Sequence, residues 1–235
     1  MLAQRGFTLT ELLIGSTLGL IVLAGALRLY QGNAMATAAN LRLTRLNYEA
    51  RELLGHIATE ARRSGYWAAT PGVHAPADNP FMHASRAARI SHHPGEPPDS
   101  CLVYSYDANA DHRVGIGSLA TAGPDTNRAN MELYGFRLSR SRLQQRLGGR
   151  QYGCGTGRWQ SLTGSDTRVT RLQFRLLRDC LNLQRLGNPC RRGEPAQLVR
   201  SLEVQLAAEA RNDPGVSVTL STRVRLPNDR LVRQW

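Results

Sequence analysis

Hydrophobic and polar positions fall into distinct textures along this chain. From Phe7 to Leu27 nearly every residue is apolar, and Glu11 is the one ionisable side chain. At helical rise this stretch covers roughly 30 Å, about one bilayer hydrocarbon core. Arg28 closes it, and an arginine at a helix end can lift its head group to the interface. Further on, Leu43, Leu46, Ala50, Leu53, Ile57 and Ala61 recur at spacings of three and four, while Arg42, Arg45, Arg51, Glu52 and Glu60 occupy other faces. That is one apolar stripe on a helix. No proline interrupts residues 1–70. Arg62 and Arg63 suit the negative end of a helix dipole, and Gly65 suits a left-handed cap. The pattern predicts a single helix of about 55 residues, roughly 85 Å long, ending near Ser64-Gly65.

The texture then changes twice. Residues 66–100 hold Pro71, Pro76, Pro80, Pro94, Pro97 and Pro98 and read as a surface connection without regular structure. From Cys101 onward short β-like runs alternate with turns. The expected strands are Cys101–Tyr106, Met131–Leu138, Arg142–Leu147, Arg158–Leu162, Val169–Leu177, Leu198–Ala207 and Val216–Leu226, with Ser139-Arg140 as a tight link. Val204 and Leu206, and Val216, Val218 and Leu220, alternate with polar neighbours as one-sided antiparallel strands do. A helix followed by an antiparallel sheet is an α+β order.

Charge and cysteine usage add to this outline. The formal net charge is +12, and every basic side chain other than histidine is arginine. Arginine suits bidentate contact with phosphate or carboxylate, so DNA or an anionic polymer enters as a candidate partner; codon bias explains the same composition. Only Arg5 and Arg28 flank the apolar span, and the larger domain is expected on the periplasmic side. Cys101, Cys154, Cys180 and Cys190 lack C-x-x-C spacing, so disulfides are expected rather than zinc. Of the three possible pairings, Cys180–Cys190 as a short local loop with Cys101–Cys154 as a longer staple is favoured.

Candidate chemistry is sparse. Asp107, Asn109 and Asp111 have the 1, 3, 5 oxygen spacing of a calcium loop, but His112 stands where such a loop wants glycine and Ser118 where it wants glutamate. A polar hairpin turn is the competing reading. Gly153, Gly155 and Gly157 have no Walker lysine and read as a turn beside a disulfide. His74, His83, His92 and His93 lack ligand spacing. No legible set of acid, base and nucleophile is present, so an enzyme is not expected and no cofactor beyond calcium is called for. Gly15 and Gly19 form a G-x-x-x-G step for close helix packing.

The string Arg5-Gly6-Phe7-Thr8-Leu9-Thr10-Glu11, followed by about twenty apolar residues, resembles the class III signal of type IV pilins and type II secretion pseudopilins. The resemblance implies cleavage between Gly6 and Phe7 by a prepilin peptidase and N-methylation of Phe7. It also implies pairing of Glu11 with a Phe7 amine, its own or a neighbour's, as subunits stack through their helices. An ordinary secretory signal cut after Ala24-Gly25-Ala26 would not carry an acid in its apolar region. A plain signal anchor would leave the Gly-Phe-Thr-Leu-x-Glu string unexplained. Ala61–Trp67, Cys101–Asp107, Val169–Phe174 and Arg225–Arg230 are similar to PilW-type minor pilins.

Under that resemblance, residues 1–6 are a leader, 7–28 the membrane half of the helix and 29–65 its periplasmic half. Residues 66–100 are the connection and 101–235 the head. The expected role is a minor pilin that primes assembly with other minor and major pilins, anchored first in the inner membrane and then in the fibre. A J-type minor pseudopilin and a DNA- or polyanion-binding head are the alternatives.

Overall fold

The structure, a computed structural model, describes residues 8–68, 78–115, 131–149 and 151–232. The chain divides into two compact units, Met1–Arg45 and Leu46–Trp235. A single helix, α1 (Leu9–Arg62), supplies the described part of the first unit and the opening of the second.

In the second unit eight strands follow. They are β1 (Arg89–Ser91), β2 (Cys101–Ser105), β3 (Leu133–Ser139), β4 (Arg142–Gly148), β5 (Arg158–Ser161), β6 (Thr167–Asn182), β7 (Ala196–Ala210) and β8 (Asp213–Val232). The first five form one sheet in chain order and the last three a second sheet, with every neighbouring pair antiparallel. The fold is α+β, a long N-terminal helix with antiparallel sheet, as in pilins.

One core joins these layers. Leu53, Leu54, Ile57 and Ala61 of α1 meet Leu102 and Tyr104 of β2, Phe136 of β3, Leu143 of β4, Leu172 and Phe174 of β6, and Leu202, Val204 and Leu206 of β7. Ile57 is 0% exposed, so the helix is seated by burial of its stripe rather than by propensity. Along β7 the residues Leu202, Val204, Leu206 and Ala208 alternate inward at the strand period of two. Main-chain bonds from Val169 N to Ser141 O and from Phe174 N to Asp99 O, each 2.9 Å, tie β6 to turns of the first sheet.

The end of α1 is held by three segments. Gly65 has φ +74°, and its N–H donates to Ser105 O at 2.8 Å. Asn228 Nδ2 donates to Ser64 O and Asn79 Nδ2 to Gly65 O, both at 2.9 Å. A β-carbon at position 65 would displace the flexible end of Met82, and the left-handed φ is what favours glycine there.

Several sequence expectations need correction. Leu43 is not part of the buried stripe (39% exposed), whereas Leu54, not assigned to it, is buried. The buried stripe begins one turn later, at Leu46. The connection expected to be irregular contains a 3₁₀ turn, Pro80–Met82, and the edge strand β1. The tight link between β3 and β4 is Arg140-Ser141, both at positive φ (50° and 58°), with Ser139 still paired to Arg142. Two-residue hairpins favour that backbone because its twist matches the strands. The Arg140 N–H donates to Glu96 Oε1 at 2.7 Å, which helps hold two non-glycine residues there. Strands β6 to β8 extend well beyond the expected limits.

Candidate functional site

The N-terminal candidate begins with the helix cap. Thr8 precedes the first helical residue, and its Oγ1 accepts from the Glu11 N–H at 3.3 Å. Glu11 reaches back, and its Oε2 accepts from Thr8 N at 2.9 Å and from the Thr8 hydroxyl at 2.8 Å. This is a reciprocal capping box, which satisfies donors that the first turn would otherwise leave open. The Thr-x-x-Glu spacing that signals it was present in the sequence. Both bonds fall on Oε2, and among the described residues Oε1 has no donor. Gly6 and Phe7, the expected processing and pairing residues, lie outside the described residues.

Every residue from 8 to 45 is exposed, including Leu9, Leu12, Ile14, Ile21 and Leu23 at 60% or more. The helix is long and apolar enough to cross a membrane. Its hydroxyls are spent locally, Ser16 Oγ donating to Leu13 O at 3.0 Å and Thr17 Oγ1 to Ile14 O at 2.9 Å. In lipid such self-satisfaction is required of any polar group. A β-carbon at Gly15 or Gly19 would meet nothing within 4 Å, so within one subunit their flat surface is open to a neighbouring helix.

The head carries two disulfides, Cys101–Cys154 and Cys180–Cys190, with Cα separations of 6.2 and 6.1 Å. These are the pairs favoured on loop length. The glycine-rich segment around Cys154 wraps two arginines that the sequence did not single out. Arg146, 0% exposed, donates to Gly153 O at 3.1 Å, Gln151 O at 2.5 Å and Gly149 O at 3.4 Å. Arg137 donates to Cys154 O at 2.6 Å and bonds His93 Nδ1 at 3.0 Å. Both guanidinium groups lie over Trp159, at 4.3 Å for Arg137 and 5.8 Å for Arg146. Burial pushes both arginine pKa values down, yet arginine keeps its proton at any working pH. The arrangement pins a loop and offers no phosphate cradle. A side chain at Gly157 (φ +92°) would meet Gly148 O and the Arg146 guanidinium.

The expected calcium loop follows β2. Asn109 is spent on the turn itself, with Nδ2 donating to Asp111 Oδ2 at 2.7 Å and Oδ1 accepting from Asp111 N at 3.1 Å. Asp107 and Asp111 come together instead with Glu132, a residue absent from the sequence candidates, and one ligand oxygen of each lies within 4.8 Å of the other two. Glu132 Oε1 accepts from Ala108 N at 2.8 Å and Oε2 from Gly115 N at 2.6 Å. Burial raises the Glu132 pKa, and those two N–H donors oppose the rise. Ser118 lies outside the described residues, as does His74. His83, His92 and His93 do not converge on a common site; His93 serves Arg137, and His83 Nδ1 bonds Ser85 Oγ.

A family model described as prepilin peptidase-dependent protein B matches residues 39–226, and the prokaryotic N-terminal methylation motif matches residues 1–27. Comparison with curated proteins and with solved structures returns no match.

Proposed function

The chain belongs to the prepilin peptidase-dependent protein B family, a type IV pilin-like protein with a methylation motif, and on that premise we propose that it is a minor pilin that helps to prime pilus assembly. Domains of this family are structural rather than catalytic. Its prepilin peptidase dependence implies processing by that enzyme and assembly with other pilins, and its apolar helix fits membrane anchoring followed by incorporation into a fibre. In our reading the cut falls between Gly6 and Phe7, the head is periplasmic before assembly, and the subunit is of the PilW type.

The observation that carries this reading is the uncovered apolar face from residue 8 to residue 45. Exposed leucine and isoleucine on that scale require lipid first and other helices afterwards. Glu11 is capped within its own chain through Oε2, which leaves Oε1 for the methylated amine of an adjacent subunit. An acid in an apolar environment is stable when it is paired in this way.

Two variants test the pairing. Glu11→Gln keeps a carbonyl to accept from Thr8 N but removes the charge; Glu11→Ala removes both. Both variants are expected in the membrane fraction, and both are expected to be depleted from sheared pili. Wild-type incorporation of Glu11→Gln would refute charge pairing. Deletion of the gene should abolish twitching and spare type II secretion; the reverse result favours the pseudopilin alternative.

A further inference from the structure

We propose that Asp107, Asp111 and Glu132 bind a calcium ion that ties the end of β2 to the start of β3. The site stands on three facts independent of the pilus reading. The first is convergence: Asp107 follows β2, Glu132 precedes β3, and a carboxylate oxygen of each lies within 4.8 Å of the other and of Asp111. The second is an orphaned atom. The Asp107 side chain is 0% exposed, its Oδ2 accepts from Ala68 N at 3.2 Å, and its buried Oδ1 has no hydrogen-bond partner. A buried carboxylate oxygen without a donor is costly unless a cation supplies the missing charge.

The third is orientation without neutralisation. Glu132 is fixed by the Ala108 and Gly115 N–H groups and Asp111 by the Arg113 N–H at 2.8 Å, so each carboxylate is aimed by the main chain with lone pairs to spare. Among the described residues no arginine forms a salt bridge with any of the three acids. The Arg113 charge acts on Asp111 without a salt-bridge contact, and the His112 ring lies 3.8 Å from Asp107 Oδ2. Two buried acids and one at the surface thus share a site that, among the described residues, no arginine bridges.

The donor set chooses the metal. Three carboxylates with room for water and main-chain carbonyls make an oxygen site of irregular shape, which calcium tolerates. Magnesium demands near-ideal octahedral geometry and sheds its water reluctantly, and zinc prefers nitrogen and sulfur. Glu132 supplies what the linear spacing from Asp107 to Asp111 lacks, an acid brought in by the residue just before the next strand.

The test uses the full-length protein in detergent, stripped with a chelator. Terbium binding is followed by luminescence sensitised through Trp67, whose ring lies 6.3 Å from that of His112, and terbium is then displaced by calcium. One ion per chain is expected, with calcium half-saturation at about 10⁻⁴–10⁻³ M, the range of extracellular calcium modules. Asp111→Asn changes an exposed side chain and keeps the acceptor for the Arg113 N–H while giving up the one for Asn109 Nδ2, so it should fold, as checked by circular dichroism, and bind at least about tenfold more weakly. Glu132→Gln should abolish saturable binding. Absence of saturable binding to the wild type, wild-type affinity in Asp111→Asn, or displacement by zinc with calcium inert would each overturn the assignment.

Discussion

Replacing Arg146 by methionine keeps most of the side-chain volume and removes every donor. Three carbonyls then lose their partner, those of Gln151 (2.5 Å), Gly153 (3.1 Å) and Gly149 (3.4 Å). An acceptor left unsatisfied in the interior costs about 1–3 kcal/mol. The full sum is not reached. Gln151 is itself exposed, so water replaces the guanidinium there, and the 3.4 Å contact counts for little. Removing a buried cation also relieves part of its desolvation cost. What remains is about one acceptor, a net loss of about 1–3 kcal/mol, which for a chain of this size lowers Tm by about 2–12 °C. Thermal melts of the full chain in detergent, followed by near-ultraviolet circular dichroism at the tryptophans, measure it. Arg142→Met, at an exposed position of the same strand, is the control and should stay within about 0.5 kcal/mol of wild type. If Arg146→Met melts within about 2 °C of that control, the buried guanidinium does not hold the loop.

The disulfides should rank by loop length. With sequence separations of 53 and 10, the chain-entropy relation gives about 4 kcal/mol for Cys101–Cys154 and about 3 kcal/mol for Cys180–Cys190, so paired serine substitutions at the first should lower Tm further. Equal shifts would contradict that account. Stability should also fall on mild acidification. Burial first, then the Arg137 charge, lowers the His93 pKa in the folded state, against the opposing influence of Glu96 and the Cys154 carbonyl. The unfolded chain therefore takes up this proton at a higher pH, near 6.5. The contribution is complete above that value and is lost as pH falls toward the lower folded pKa. Tm measured from pH 8 to pH 5 should decline less steeply in His93→Gln, which keeps an acceptor for Arg137; parallel profiles would refute the role.

How far the chain could be read from its residues depended on what each element rests upon. The helix end was legible because Arg62, Arg63 and Gly65 are local signals, and Gly65 does take the left-handed φ of +74°. Seven strands were legible because apolar alternation marks strands that face a core. Strand β1 was not, since three residues paired on one edge leave no period to detect. The outer ends of β6 to β8 were missed for a related reason. The Asp179–Val199 and Cys180–Leu198 pairs continue the ladder past the core, where main-chain bonding persists without a hydrophobic pattern.

The sites divide similarly. Thr8 and Glu11 carry a spacing rule, so their cap could have been predicted from sequence. Arg146 reads as a surface residue in Gln-Gln-Arg-Leu because arginine is rarely fully buried, and only the fold brings it under Trp159. Glu132 meets Asp107 through the pairing of β2 with β3, in which Ser105 lies opposite Leu133. Linear spacing holds no trace of that register.

The most direct measurement of the central claim is the mass of the mature protein's N-terminal peptide, recovered from membranes and from sheared pili. The account predicts a chain that begins at Phe7 and carries one methyl group on its amine. A chain that begins at Met1, or one cut after Ala26, would contradict it.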